Sequence, residues 1–172
     1  QVFPWVKASY FYLLPLIFPV LICIWLYAMS LFAKKIPIFW QVARFLTVGA
    51  FNASIYLGML NLLMMIFAID AKNTLIYAIF IIFANCLAII NSYYWNKTWT
   101  FKKEFKVERK EFIKFFVVTA IGVMINMAIT VFFAKMIHSP GNLVSGFIAP
   151  VIGILIEAVW NFSMYKVLIF KS

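Results

Sequence analysis

Long apolar runs are the feature that most constrains how this chain can fold. The stretch from Ile76 to Phe83 is apolar at every position. Membrane barrel strands instead alternate apolar and polar residues over about 10 positions, whereas a helix needs about 20 apolar residues to cross the hydrocarbon core. The runs therefore predict five membrane-spanning helices, at about Tyr10 to Phe32, Phe45 to Ile69, Leu75 to Trp95, Phe112 to Met136 and Leu143 to Ile169.

The composition favours lipid as the main solvent of this chain. Charged residues make up 12% of the 172 residues, against about 25% in soluble domains. The net charge of +10 does not indicate a nucleic-acid partner, because such a footprint needs a basic face on a soluble module, and here the charges lie between apolar spans. Cys23 and Cys86 lie inside apolar runs without metal-ligand spacing, so we expect neither a metal nor a cofactor.

The basic residues are distributed unevenly between the two sides of the predicted spans. One side holds 12 of the 15, namely Lys34, Lys35, Arg44, Lys97, Lys102, Lys103, Lys106, Arg109, Lys110, Lys114, Lys166 and Lys171. The other side holds Lys7, Lys72 and Lys135. Lys and Arg are retained on the cytoplasmic side of a membrane. We therefore expect a multi-pass protein with its C-terminus in the cytoplasm and, after five spans, its N-terminus outside.

An internal repeat organises the spans. The segment from Arg44 to Ala50 recurs from Lys114 to Ala120, 70 positions later, with basic, aromatic, Val and Ala positions matched. The ends of the two units match at an offset of 69: Tyr93, Lys97 and Phe101 correspond to Phe162, Lys166 and Phe170. Two spans per unit mean that both units enter the membrane in the same direction. We predict an all-α membrane protein, a four-helix transmembrane bundle of two parallel-repeat hairpins (44–101 and 114–170, domain 44–172) plus one extra N-terminal transmembrane helix (domain 1–43).

Four motifs carry a resemblance to a known family. They are RFLTVGAFN at 44–52, NSYYWNKTWTF at 91–101, KFFVVTAIGVMIN at 114–126 and NFSMYKVLIF at 161–170. In this order and spacing, over residues 44–170, the chain resembles the GtrA-like proteins, small membrane proteins of two helical hairpins. The Asn that the family usually places before the basic residue is present as Asn96 but replaced by Tyr165 in the second unit.

The resemblance implies a role in cell-surface polysaccharide synthesis. Members are described as moving or presenting a polyprenyl-phosphate-linked sugar across the cytoplasmic (inner) membrane of a prokaryote. A membrane-associated glycosyltransferase and membrane lipids are then the expected partners. Two alternatives stay open: a non-transporting membrane anchor for a glycosyltransferase, and a structural subunit of a larger membrane complex. A small multidrug-type exporter is disfavoured, because its carboxylate belongs on the first helix of the bundle, whereas Glu157 is on the last.

Four cations are the candidates for binding a lipid phosphate. Arg44 and Lys114 are predicted to begin their helices, while Lys97 and Lys166 end theirs. A cation at a helix N-terminus opposes the macrodipole by about 0.3 to 1 kcal/mol, and an anion bound between the two would offset that cost. The alternative is that all four only fix the topology of the chain.

Six polar residues within the spans form a predicted polar seam between the hairpins: Asn85, Ser92, Asn96, Asn126, Glu157 and Asn161. A charged side chain near the middle of a span costs about 2.5 to 3.5 kcal/mol, so Glu157 should face the bundle. Glu157 and Asn161 share a helix face with Gly153. The seam is interpreted as interhelical hydrogen bonding, as a track for sugar hydroxyls, or as a proton-coupling site at Glu157.

Catalysis is not expected from this sequence. His138, the only histidine, has no Ser, Cys or carboxylate arrangement around it, and no P-loop, GxGxxG or HExxH motif is present. We therefore predict that the protein is not an enzyme. Small residues at intervals of four, from Gly122 to Ala134, would let helices approach closely, either within the bundle or in a homo-oligomer.

Overall fold

A computed structural model describes residues 14–67, 74–104, 106–136 and 148–170. The helices, in chain order, are α1 (Leu14–Ala33), α2 (Ile38–Ile66), α3 (Thr74–Trp95), α4 (Arg109–Met136) and α5 (Ala149–Met164). Helix α3 continues into a first π-helical segment, Asn96–Thr100, and α5 into a second, Tyr165–Ile169. No strand occurs among the described residues.

Four helical stretches are long and apolar enough to cross a membrane. They are Ile38–Ile66, Thr74–Thr100, Arg109–Phe133 and Ala149–Ile169. The apolar part of α1, Ile17–Ala33, is shorter. The predicted fold class is confirmed: an all-α membrane protein with four membrane-crossing helices and an additional apolar N-terminal helix. Four residues of the sequence analysis, Lys7, Lys72, His138 and Lys171, lie outside the described residues, as do the predicted span ends Tyr10, Ile69 and Leu143.

Two of the helices begin earlier than the predicted spans. Helix α2 begins at Ile38 rather than Phe45, and α4 begins at Arg109 rather than Phe112. Hydropathy marks where a chain enters the hydrocarbon core, whereas backbone hydrogen bonding can continue into the polar interface. Charged or amphipathic turns outside the core are therefore missed when spans are read from apolar runs alone.

The chain divides into two compact units, Gln1–Thr47 and Val48–Ser172. In the first, the indole nitrogen of Trp25 donates a hydrogen bond to the backbone oxygen of Ala43, at 3.4 Å, which ties α1 to the beginning of α2. In the second, α2 and α3 pack through a buried cluster centred on Leu60, Phe80 and Ala84.

The internal repeat is present in the backbone as well as in the sequence. The two π-helical segments begin at Asn96 and Tyr165, and the difference between 165 and 96 is the same 69 residues that separates the repeated motifs. A π-helical turn at the end of a membrane helix is rare and is often found at functional sites. The paired segments therefore direct attention to this end of the bundle.

The second hairpin, formed by α4 and α5, is closely packed because of two glycines. A side chain at Gly122 would place its first carbon 2.6 Å from the side-chain oxygen of Asn161, and one at Gly153 would lie 2.6 Å from the hydroxyl of Thr130. The indole nitrogen of Trp160 donates to the backbone oxygen of Val118 at 3.1 Å. Small residues thus let the two helices approach closely, as they do in membrane bundles generally.

Candidate functional site

Seven aromatic side chains form a cluster where α3 and α5 end and α4 begins, which we call the basic end because Lys97, Lys114 and Lys166 lie there. The members of this aromatic cluster are Tyr93, Phe101, Phe112, Phe115, Phe162, Tyr165 and Phe170, with neighbouring ring centroids 4.4 to 6.2 Å apart. Such pairs contribute about 0.5 to 1.5 kcal/mol each beyond their buried area. The cluster therefore holds three helices and both π-helical segments in fixed positions around the lysines.

Lys97 is buried within this end of the bundle, with 3% of its surface exposed. Its ammonium donates to Glu111 Oε1 at 2.7 Å, to the backbone oxygen of Lys106 at 2.7 Å and to the hydroxyl of Tyr93 at 3.4 Å. The Tyr93 hydroxyl in turn donates to Glu111. An ammonium has three donors, so all three are used inside the protein.

The Lys97–Glu111 ion pair changes what Lys97 can do. A phosphate could reach this ammonium only by displacing Glu111, so the structure gives Lys97 a role in joining α3 to α4. Glu111 is a residue that the sequence analysis missed. Its position in the first turn of a helix, where a carboxylate is favoured, is a signal in the sequence, but nothing local points to Lys97 as its partner.

Lys114 and Lys166 lie on neighbouring stretches of backbone. Lys114 directly precedes Phe115, and Lys166 directly follows Tyr165. The rings of Phe115 and Tyr165 are stacked, with centroids 4.4 Å apart. Lys114 is exposed and Lys166 is half-buried. Within the described ranges the structure gives neither ammonium a hydrogen bond or an ion pair. These two cations therefore remain available to an anion from outside the chain.

The prediction that Arg44 and Lys114 begin their helices is wrong. Arg44 is the seventh residue of α2, which begins at Ile38, and Lys114 is the sixth residue of α4, which begins at Arg109. The macrodipole acts within the first turn, so neither cation opposes it appreciably. Arg44 belongs to the Gln1–Thr47 unit, where its guanidinium carbon lies 4.9 Å from the ring centroid of Trp40. A ring of four cations stays a prediction.

Three of the polar residues that the sequence singled out meet between α4 and α5. The amide of Asn126 donates to Glu157 Oε2 at 2.7 Å, and the amide of Asn161 reaches Glu157 Oε1 at 3.5 Å. The hydroxyl of Thr130 donates to the side-chain oxygen of Asn126 at 3.1 Å. Glu157 is half-buried and faces α4. We call this group the polar cluster of the second hairpin.

The other three polar residues are separate from that cluster. Asn85 is exposed and donates to the backbone oxygen of Ile81 at 2.9 Å, while Asn96 donates to the backbone and hydroxyl oxygens of Ser92 at 2.9 and 3.1 Å. Asn side chains can bond one turn back along their own helix, and here the amide nitrogens do so, whereas the buried side-chain oxygen of Asn96 has no hydrogen-bond partner among the described residues. Three of the six residues thus form the polar cluster of the second hairpin, Ser92 and Asn96 contact each other, and Asn85 bonds only to its own helix.

The residue that departs from the family pattern has gained a contact of its own. The hydroxyl of Thr119 donates to the backbone oxygen of Phe115 at 2.8 Å and lies 2.6 Å from the hydroxyl of Tyr165. Because the Thr119 proton is already used, Tyr165 is the donor of the shorter bond. Asn96, the equivalent of Tyr165 in the first repeat, bonds along its own helix, whereas Tyr165 makes a contact between helices.

The comparisons with known proteins come down to one match. A family model described as GtrA/DPMS, transmembrane domain, matches residues 44–170, which is most of the chain. Neither the comparison with curated proteins nor that with solved structures gives a match. The matched residues contain both hairpins, both π-helical segments and the basic end. This chain therefore belongs to the GtrA/DPMS transmembrane-domain family.

Proposed function

We propose that this protein moves or presents a polyprenyl-phosphate-linked sugar across the cytoplasmic membrane for cell-surface polysaccharide synthesis. The basic end faces the cytoplasm in this proposal, in line with the retention of Lys and Arg on that side. The observation that carries the proposal is the pair Lys114 and Lys166, held on adjacent backbones by the Phe115–Tyr165 stack. Membership of the family supports this choice of substrate class.

The chemistry of a lipid phosphate suits this end of the bundle. The headgroup is an anion attached to a long apolar chain, so its site needs cations at the membrane interface next to apolar helix surfaces. Lys114 and Lys166 provide the cations, and aromatic rings beside them provide rigid apolar walls. We assign the phosphate to these two lysines, while Lys97 stabilises the site from within and Arg44 rests against Trp40 in the other unit.

No catalytic group is needed for this activity, and we propose none. Glu157 and its amide partners lie inside the second hairpin, where hydrogen bonds between membrane helices contribute about 0.6 kcal/mol each. We interpret the polar cluster of the second hairpin as such a contact. A carrier can use it to keep α4 and α5 together while the headgroup passes along their surface.

The test is transport in vesicles that contain only the purified protein and a labelled polyprenyl-phosphate sugar. The expected result is that Lys114→Gln and Lys166→Gln each slow the appearance of label in the opposite leaflet, and that the double variant stops it. Lys135→Gln, an exposed lysine on α4 far from the basic end, is the matched control and should transport normally. Normal transport by the folded double variant would contradict the assignment.

A second function is favoured by the connection between α3 and α4. The side chains of Lys102, Glu104, Lys106 and Glu108 are exposed on it, and their alternating signs suit the docking of a glycosyltransferase. In that case the protein presents the lipid without moving it. This anchor function would be favoured if the vesicle assay shows no transport and a transferase co-purifies with the protein in native mass spectrometry. The same spectra report whether the chain forms homo-oligomers.

A further inference from the structure

A groove runs between α3 and the start of α4, in the Val48–Ser172 unit. Its walls include Leu87, Ile90, Asn91, Tyr93, Val107 and Phe112, and its volume is about 410 Å³. That volume lies near the lower end of the roughly 300 to 1,000 Å³ found for small-molecule sites. Tyr94 also lines it, and apart from Asn91 and the two tyrosine hydroxyls the walls are hydrocarbon. The groove therefore suits one narrow apolar chain.

The shape of the groove is fixed by the Lys97–Glu111 ion pair. Tyr93, on one wall, is held by hydrogen bonds to both members of the pair. Val107, on another, follows Lys106, whose backbone oxygen accepts from Lys97. Phe112 follows Glu111 directly. Because these walls are held by buried polar contacts, the groove exists before anything binds in it.

Helix spacing places a cation one turn before the groove residue Phe112. Arg109 is three residues before Phe112 in α4, so it lies on the same helix face and about one turn nearer the basic end. It is exposed, and the described part of the structure gives its guanidinium no partner. Lys110 is also exposed but only two residues before Phe112, which turns it to a different face. Glu108, the N-terminal neighbour of Arg109, adds one exposed carboxylate to this turn.

We infer that the groove binds the hydrocarbon chain of a single-chain lipid phosphate, with the phosphate at Arg109. This inference rests on the proposed function, because the lipid phosphate is its substrate. It adds a second seat for the same lipid, separate from the Lys114 and Lys166 pair, at which the phosphate meets Arg109 instead. Guanidinium groups bind phosphate through paired hydrogen bonds, which makes Arg109 well suited to bind the phosphate headgroup.

The experiment uses the full chain in nanodiscs of phosphatidylcholine with a photoreactive isoprenyl phosphate as the probe. Saturable labelling of groove residues is expected in the wild type. Arg109→Gln should lower the labelling about tenfold and Lys110→Gln by less than about twofold, which corresponds to the loss or retention of one charge-assisted contact. Glu108→Gln should raise the labelling, because it removes the carboxylate beside the phosphate.

A second pair of variants tests the chain rather than the headgroup. Ile90 lines the groove, whereas Ile82 lies on the same helix outside it, and the two are 55% and 64% exposed. Ile90→Trp should abolish the saturable labelling, and Ile82→Trp should leave it unchanged. Circular dichroism and size-exclusion profiles establish that both variants fold. Equal labelling in the two variants, or equal competition by phosphatidylglycerol, would overturn the inference.

Failure of this inference can be told apart from failure of the proposed function. If the wild type binds the probe in the groove but moves no lipid in the vesicle assay, the groove stands and the carrier function fails. If the wild type moves lipid while Arg109→Gln and Ile90→Trp label like the wild type, the groove is wrong and the carrier function stands.

Discussion

Replacement of Glu111 by Gln should weaken the fold far more than the loss of an ordinary surface charge. The Lys97 ammonium lies 2.7 Å from Glu111 Oε1, and the two side chains are 4% and 19% exposed. Gln keeps the shape of the side chain but leaves the ammonium with neutral acceptors only. Removal of one partner from a buried ion pair costs about 3 to 5 kcal/mol of unfolding free energy, whereas an exposed pair contributes about 0 to 1 kcal/mol.

Two further variants test whether the loss of stability comes from the unpaired charge of Lys97. Lys97→Met combined with Glu111→Leu removes both charges, and such apolar replacements are neutral or stabilising by up to about 4 kcal/mol. The double variant should therefore be more stable than Glu111→Gln. Glu108→Gln is the matched control: this carboxylate is exposed three residues earlier, and its loss should change the unfolding free energy by less than about 0.5 kcal/mol.

The measurement is reversible unfolding in mixed micelles, followed by tryptophan fluorescence and circular dichroism at one fixed detergent composition. If Glu111→Gln and Glu108→Gln prove equally stable, within about 1 kcal/mol, the ion pair is screened by solvent and does not hold α3 to α4. The same result would also remove the reason for treating the groove as preformed.

Three smaller changes follow from the same structure and are read by the same unfolding measurement. Gly153→Ala should lower the unfolding free energy by about 1 to 3 kcal/mol, because its new carbon would lie 2.6 Å from a hydroxyl oxygen on α4. Gly58→Ala meets nothing within 4 Å and should raise the unfolding free energy by about 0.5 to 1 kcal/mol. The reverse order would refute the close approach of α4 and α5. Thr119→Val should cost about 0.5 to 1.5 kcal/mol, and Tyr165→Phe should then add little; additive losses would show that the two hydroxyls are not partners. Lys102→Gly should stabilise by up to about 1 kcal/mol, because Lys102 has a φ of 53° in the left-handed region that costs other residues more than glycine; destabilisation would mean that this side chain has an unrecognised role.

The membrane helices and the repeat could be predicted because both are written in local sequence. An apolar run such as Ile76 to Phe83 has one outcome in lipid, since a helix satisfies its own backbone groups there. The motif offset of 69 residues also predicts the correspondence of the two segments that follow α3 and α5, although not their π-helical form.

Partnerships between helices could not be predicted, because helical periodicity fixes a face but not the neighbour that the face meets. The helical spacing correctly predicted that Glu157 and Asn161 share one face of α5. It did not predict that this face meets Asn126 on α4 rather than a residue on α3. Glu111 was missed for the same reason. Its partner Lys97 is 14 residues away in the chain, across a connection whose course is set by backbone contacts.

The divergence of the two repeats indicates why their lysines differ in role. Lys97 and Lys166 are equivalent, but the position equivalent to Glu111 at the 70-residue offset, 111 minus 70, is Gln41. A neutral amide cannot neutralise an ammonium as a carboxylate does. The duplicated chain therefore has the lysine twice and the carboxylate once, so an internal ion pair accounts for Lys97 but not for Lys166. A lysine near the end of a membrane helix can extend its ammonium to the interface, and it is there that we propose Lys166 meets the phosphate of the lipid.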